Sequence, residues 1–190
     1  MDCVPVLFTE NVLRMIDKEQ ARSAANVECL TYSLSFCGFK DHDTICYCIH
    51  SPVSLETLLK AKRTSCNAVH LFQNRSGGYI LTADRLSQIC ALIRQSYIPV
   101  HWVCVRWSES DPTSAQMEFF ENLTESIPGI KRLTFGDRPQ SSAVTTKFLS
   151  TRLLDTLSDV TINSLDRQQR SAYLIFTLIV HWWTERFVPT

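Results

Sequence analysis

The feature that most constrains this chain is a short template that recurs along it: an apolar residue, two others, an apolar residue, one other, and a third apolar residue. Clear copies are Val100-x-x-Val103-x-Val105, Ile130-x-x-Leu133-x-Phe135 and Leu157-x-x-Val160-x-Ile162. Cys66-x-x-Val69-x-Leu71 fits well, and Cys29-x-x-Tyr32-x-Leu34 fits loosely. The central positions Tyr32, Val69, Val103, Leu133 and Val160 follow one another at intervals of about 37, 34, 30 and 27 residues. Each interval has room for one strand and one helix.

The tracts between the copies carry helical spacing. Ser51-Pro52 introduces Leu55, Leu58 and Leu59, and Thr82 caps a stretch with Leu86, Ile89, Cys90 and Ile93. The tract from Ser114 carries Met117, Phe120 and Leu123, and Ser141-Ser142 precedes Phe148, Leu149, Leu153 and Leu154. Pro99, Pro112, Pro128-Gly129 and Pro139 fall between these elements, where a missing donor does least harm. The expected fold is α/β: an irregular, leucine-rich-repeat-like solenoid of helix and strand units with a parallel sheet joined by right-handed crossovers. An N-terminal capping helix and a C-terminal apolar helix complete it. The competing fold is an open, non-repetitive α/β sheet. With 190 residues and 45% apolar content, a single domain is expected over 1–190. Within it, 1–28 is a helical cap or docking segment, 29–165 the repeat body and 166–190 the C-terminal helix.

If the three apolar positions of each copy face the helices, the alternating residues face out. The outward set is Thr31, Ser33, Ser35; Ala68, His70, Phe72; Trp102, Cys104, Arg106; Arg132, Thr134, Gly136; and Asp159, Thr161, Asn163. Phe72, Trp102, Arg106 and Arg132 fall near the middle. Aromatic residues and Arg dominate interface energetics, so His70, Phe72, Trp102, Arg106, Arg132, Thr134, Asp159 and Asn163 form the candidate protein-binding face. The competing reading has a helix over this face and Trp102 in the core. A register shift of one residue inverts the list.

Composition narrows the function classes. Nineteen Lys+Arg balance nineteen Asp+Glu, which argues against a polybasic nucleic-acid arm, and no nucleic-acid partner is expected. Five Gly leave no GxGxxG or GxxxxGK[ST] phosphate loop. Eight cysteines fall in the first 104 residues. The opening lacks a basic stretch and a long apolar run, so a cytoplasmic or nuclear setting with reduced, core-packed thiols is expected. His42-x-x-x-Cys46-x-Cys48-x-His50 offers four zinc-type ligands. An extended Ile45–Ile49 would set Cys46 and His50 roughly 13 Å apart, too far for one tetrahedral ion. There is no GxSxG elbow, and Ser76-Gly77-Gly78 reads as a turn before Tyr79-Ile80-Leu81. No catalytic residue, metal or cofactor is assigned, and a small thiol- or zinc-dependent enzyme is the lesser alternative. Ala172–Trp183 is apolar but shorter than the roughly 20 residues a membrane span needs. A buried helix is the first reading of that segment, with a tail anchor as the alternative.

Met1-Asp2-Cys3-Val4-Pro5-Val6-Leu7-Phe8, continuing to Val12-Leu13 and Ile16-Asp17, resembles the start of a nematode-expanded group of uncharacterised proteins, and is similar to a shortened F-box. Phe119-Phe120-Glu121, Ile130 to Phe135 and Trp182-Trp183 resemble the leucine-rich-like body of that group. The resemblance implies a substrate-recruiting adaptor. Its N-terminal module, here Val4, Pro5, Leu7, Phe8, Val12, Leu13 and Ile16, docks on the linker subunit of a cullin-type ubiquitin ligase, while the repeats hold a target. An F-box has about 40 residues in three helices, whereas the first strand template here begins at Cys29. The bottom-up reading of Pro5 to Glu19 is an amphipathic cap on the first unit.

Overall fold

The computed structural model describes residues 29–38, 43–73, 78–96, 98–107, 112–136, 142–149, 153 and 155–162. In chain order the elements are β1 (Leu30–Gly38), β2 (Ile45–His50), α1 (Leu55–Lys60), β3 (Thr64–Gln73), β4 (Tyr79–Ile80) and α2 (Ala83–Gln95). There follow β5 (Val100–Arg106), α3 (Ser114–Ser126), β6 (Ile130–Phe135), α4 (Ser142–Phe148) and β7 (Asp159–Ile162). The five template copies fall at the parallel strands β1, β3, β5, β6 and β7, with exposed Cys29 just before β1 and Leu157 just before β7, and the tracts between them supply the helices.

The strands form one sheet in the order β4-β2-β1-β3-β5-β6-β7. From β1 through β7 each new parallel strand is added on the same side of the last. Right-handed crossovers that all advance in one direction return every helix to the same face. The helices pack in series, α1 on α2, α2 on α3 and α3 on α4. The expectation of a wholly parallel sheet is corrected at one edge, where β2 pairs antiparallel with β1 and β4 antiparallel with β2. The link from Gly38 to Ile45 is too short for a crossover, so the chain turns back as a hairpin.

The helix-facing side of the sheet is a set of apolar rows in lateral register. One row is Leu34, Val69, Val103, Leu133 and Val160, and the next is Phe36, Leu71, Val105 and Phe135. All of these but Val160 share one core with Leu58 of α1, Ile89, Leu92 and Ile93 of α2, Phe119, Phe120 and Leu123 of α3, and Val144 and Phe148 of α4. Phe36 meets Phe119 with ring centroids 5.0 Å apart, and Phe120 continues the aromatic chain to Trp107 at 4.8 Å and Phe148 at 6.4 Å. The two-residue gap in the template has a visible cause in β3. Tyr32 pairs with Cys66 but Ser33 with Ala68, so exposed Asn67 is the extra residue of a bulge. The bulge lets Cys66 and Val69 both face the helices although three positions separate them.

Local chemistry sets the element ends. The Thr82 hydroxyl accepts from the Arg85 amide as N-cap of α2. Thr113 and Gln116 close a reciprocal capping box on α3. Gly78 takes φ 99°, the left-handed turn expected before β4. At Gly38 the fully buried indole of Trp107 occupies the space a Cβ would need, so the strand must be bare there.

Candidate functional site: the outer face of the sheet

The sheet face away from the helices is ordered by the same register. Ser33, Ala68, Trp102, Arg132 and Asp159 form one lateral row. Ser35, His70, Cys104, Thr134 and Thr161 form the next, and Cys37, Phe72 and Arg106 a third. The strand residues of the outward list share this face, while Gly136 lies just past β6 and is buried, and Ala68 is buried among its row neighbours. Of the predicted face residues, His70, Phe72, Trp102, Arg106, Arg132, Thr134 and Asp159 come together here. Asn163 lies outside the described residues, as do Val4, Pro5, Leu7, Phe8, Val12, Leu13 and Ile16.

The side chains interlock across strands. Half-buried Trp102 donates its indole Nε1–H to the Thr134 hydroxyl oxygen at 2.9 Å. Its ring meets His70 edge-on at 4.9 Å, and His70 stacks on Phe72 at 5.9 Å with the planes 9° apart. The Arg106 guanidinium lies 5.9 Å from the Phe72 ring centroid, within cation–π range. Arg132 Nε donates to Asp159 Oδ2 at 3.0 Å, with both side chains about half exposed. At the other side of the face, Ser35 Oγ and His50 Nε2 are 3.0 Å apart. The band thus runs from β2 to β7, aromatic in the middle and charged towards β7.

Two parts of the expectation need correction. Thr134 faces outward but is 7% exposed and bonded to Trp102, so it supports the indole and does not meet solvent. Cys104 also faces outward, yet is 2% exposed. Burial pushes its thiol pKa up, with neighbouring Arg106 opposing in part, so the thiol stays protonated. His101 of β5 is exposed. His50, one of the four zinc-type ligands in the sequence, closes β2. The alternation of β2 puts it on the same face as Cys46 and Cys48, beside Ser35.

Two concavities adjoin the sheet. A recess of about 270 Å³ opens between Thr31, Ser33, His50 and Asn67, continuous with the outer face. A second, of about 390 Å³, lies on the helix side between β2, β4, α2 and α3, floored by Ile45, Leu86 and Phe119 and rimmed by Asp43 and Glu118. Among the described residues no group of three or more His, Cys, Asp or Glu is placed to hold a metal ion, and His42 lies outside them. Among the described residues, no helix is long and apolar enough to cross a membrane; Ala172–Trp183 lies outside them. No protein-family model matches the chain, and none of the curated proteins or solved structures compared with it does.

Proposed function

We propose that the chain is a non-enzymatic protein-binding module of leucine-rich-repeat-like, solenoid form. It acts as a substrate-recruiting, F-box-like adaptor of a cullin-type ubiquitin ligase in the cytoplasm or nucleus. The observation that carries the binding reading is the cross-strand band His70, Phe72, Trp102, Arg106, Arg132 and Asp159 on the outer face. Aromatic rings fixed by neighbours lose little freedom on binding, and a half-exposed ion pair at the margin gives a polar rim. The one-directional strand order supports the solenoid form, since a repeat array grows by adding like units to one edge. The adaptor role rests on the resemblance of Val4, Pro5, Leu7, Phe8, Val12, Leu13 and Ile16 to a shortened F-box. The target is a protein that offers an apolar anchor and a charged group to the Trp102 and Arg106 region.

The test uses purified ligase linker subunit as probe against three forms of the full chain matched for folding by circular dichroism. These are the native sequence, a Pro5→Ala, Leu7→Asp, Leu13→Asp variant, and a Trp102→Ala, Arg106→Glu variant. The native chain should retain the linker, the N-terminal variant should lose it, and the face variant should keep it while losing the co-recruited target. Failure of the native chain to hold the linker sinks the adaptor reading. Target recruitment unaffected by the face variant sinks the face assignment.

A further inference from the structure

Cys37 of β1 and Cys46 of β2 are direct partners in the antiparallel ladder. Among the described residues this is the one place where the sheet register sets two cysteines opposite each other. Both are thiols in this structure, 7% and 9% exposed, on the outer face. The type of pairing follows from the next strand. The Leu81 amide donates to the Ile45 carbonyl at 2.8 Å, so Ile45 directs its backbone groups towards β4. Alternate residues of a strand direct these groups to opposite sides, which turns those of Cys46 towards Cys37. Such hydrogen-bonded antiparallel partners have Cα atoms about 5.5 Å apart, inside the roughly 4.4–6.8 Å window of a disulfide. Cys48 stands opposite Ser35, so it is diagonal to Cys37 at roughly 7–8 Å and out of reach.

We infer that Cys37 and Cys46 form a reversible cross-strand disulfide, a redox-modification site that staples the β1–β2 hairpin when a peroxide is the oxidant. One thiol gives up its proton and the thiolate sulfur attacks a peroxide oxygen; the O–O bond breaks, and the departing hydroxide takes up that proton and leaves as water, giving a sulfenic acid. The second sulfur then attacks the sulfenic sulfur. The S–S bond forms, the S–O bond breaks, and the hydroxyl leaves as water with the second thiol's proton. In total, two thiols and one hydrogen peroxide give one disulfide and two waters, the sulfurs supplying the two electrons. Access is local. Ile80, the ladder partner of Cys46 on its other side, is 67% exposed in a strand of two residues, so a short edge opening uncovers the pair.

The test treats the folded full chain with hydrogen peroxide, alkylates the remaining thiols and maps the peptides by mass spectrometry, with a parallel sample oxidised in urea. The expected result is a linked Cys37–Cys46 peptide in the folded sample, removed by dithiothreitol and depleted at least several-fold in urea. Cys37→Ser and Cys46→Ser should each abolish the link, and Cys46→Ser should raise no Cys37–Cys48 product. Both residues alkylated after peroxide while other cysteines oxidise would overturn the inference. So would the same link formed equally in urea, since that would reflect nearness in sequence and not the ladder. Because the mapping is read on the native chain, poor folding of a serine variant does not remove the test.

Discussion

Trp102 on β5 and Thr134 on β6 are joined by a 2.9 Å hydrogen bond from the indole Nε1–H to the hydroxyl oxygen, which fixes a large ring across two strands of an open face. The Thr134 hydroxyl belongs to a residue only 7% exposed, so the bond is not freely replaced by water. Trp102→Phe should therefore cost about 1 kcal/mol in urea unfolding. With Thr134→Val already in place the same substitution should cost less, and a double-mutant cycle would show the coupling. Additive costs would mean that the bond contributes nothing.

Arg132 and Asp159 lie in the same row but are half exposed, with side-chain accessibilities of 52% and 47%. A pair so placed is screened and contributes little to the fold, so Asp159→Asn should shift stability by less than about 0.5 kcal/mol. In the adaptor reading, the same variant should weaken target retention. A stability loss of several times that size would assign the pair a structural role instead.

Gly38→Ala should be among the most damaging single-methyl additions to the sheet. The new Cβ would fall on the Trp107 ring, which is fully buried and itself packed on Phe120. Overpacking of this kind costs about 1–3 kcal/mol, measurable as a lower urea midpoint. Gly78→Ala should also destabilise, for a different reason: its φ of 99° is strained for any side chain. If either variant is as stable as the native chain, the reason given for its cost is wrong.

Burial pushes the Cys66 thiol up to about 12 from an ordinary value of 9.0, and it raises the Tyr32 phenol beside it as well. Both groups are neutral when protonated. Between pH 9 and 12 the unfolded chain gives up these protons while the folded chain keeps them. Stability from this source is full below about pH 9 and is lost as pH rises towards 12. The urea midpoint should fall across that window, and Tyr32→Phe should flatten part of the fall. Thiol labelling of the folded chain near pH 8 should reach exposed Cys29 and spare Cys66. Rapid labelling of Cys66 under folding conditions would contradict its burial.

Much of the fold was legible because the template encodes both period and face. Leu133 and Phe135 point to the helices and Arg132 and Thr134 away from them, as alternation requires. Thr82 was legible as a cap because its side chain acts within its own turn. Other features depend on partners distant in sequence. The antiparallel placement of β2 and β4 could not be read from Ile45–His50 alone, since a short apolar strand carries no mark of its neighbour. The seclusion of Thr134 depends on the direction in which Trp102 lies across the next strand, and alternation fixes a face but not that direction. The bulge at Asn67 was hidden for the same reason, being a property of two strands together.

The strand order has a consequence for how the molecule is made. Because β3, β5, β6 and β7 are each laid against a strand that has already been synthesised, no strand after the β1–β2 hairpin waits for a later one to reach its place. A chain emerging from the ribosome can therefore extend its sheet in the order of translation, each addition closing over roughly 30 residues, a span that keeps loop-closure entropy small. The growing edge is left unpaired only until the next helix and strand emerge, which shortens the time in which it could pair with another nascent chain.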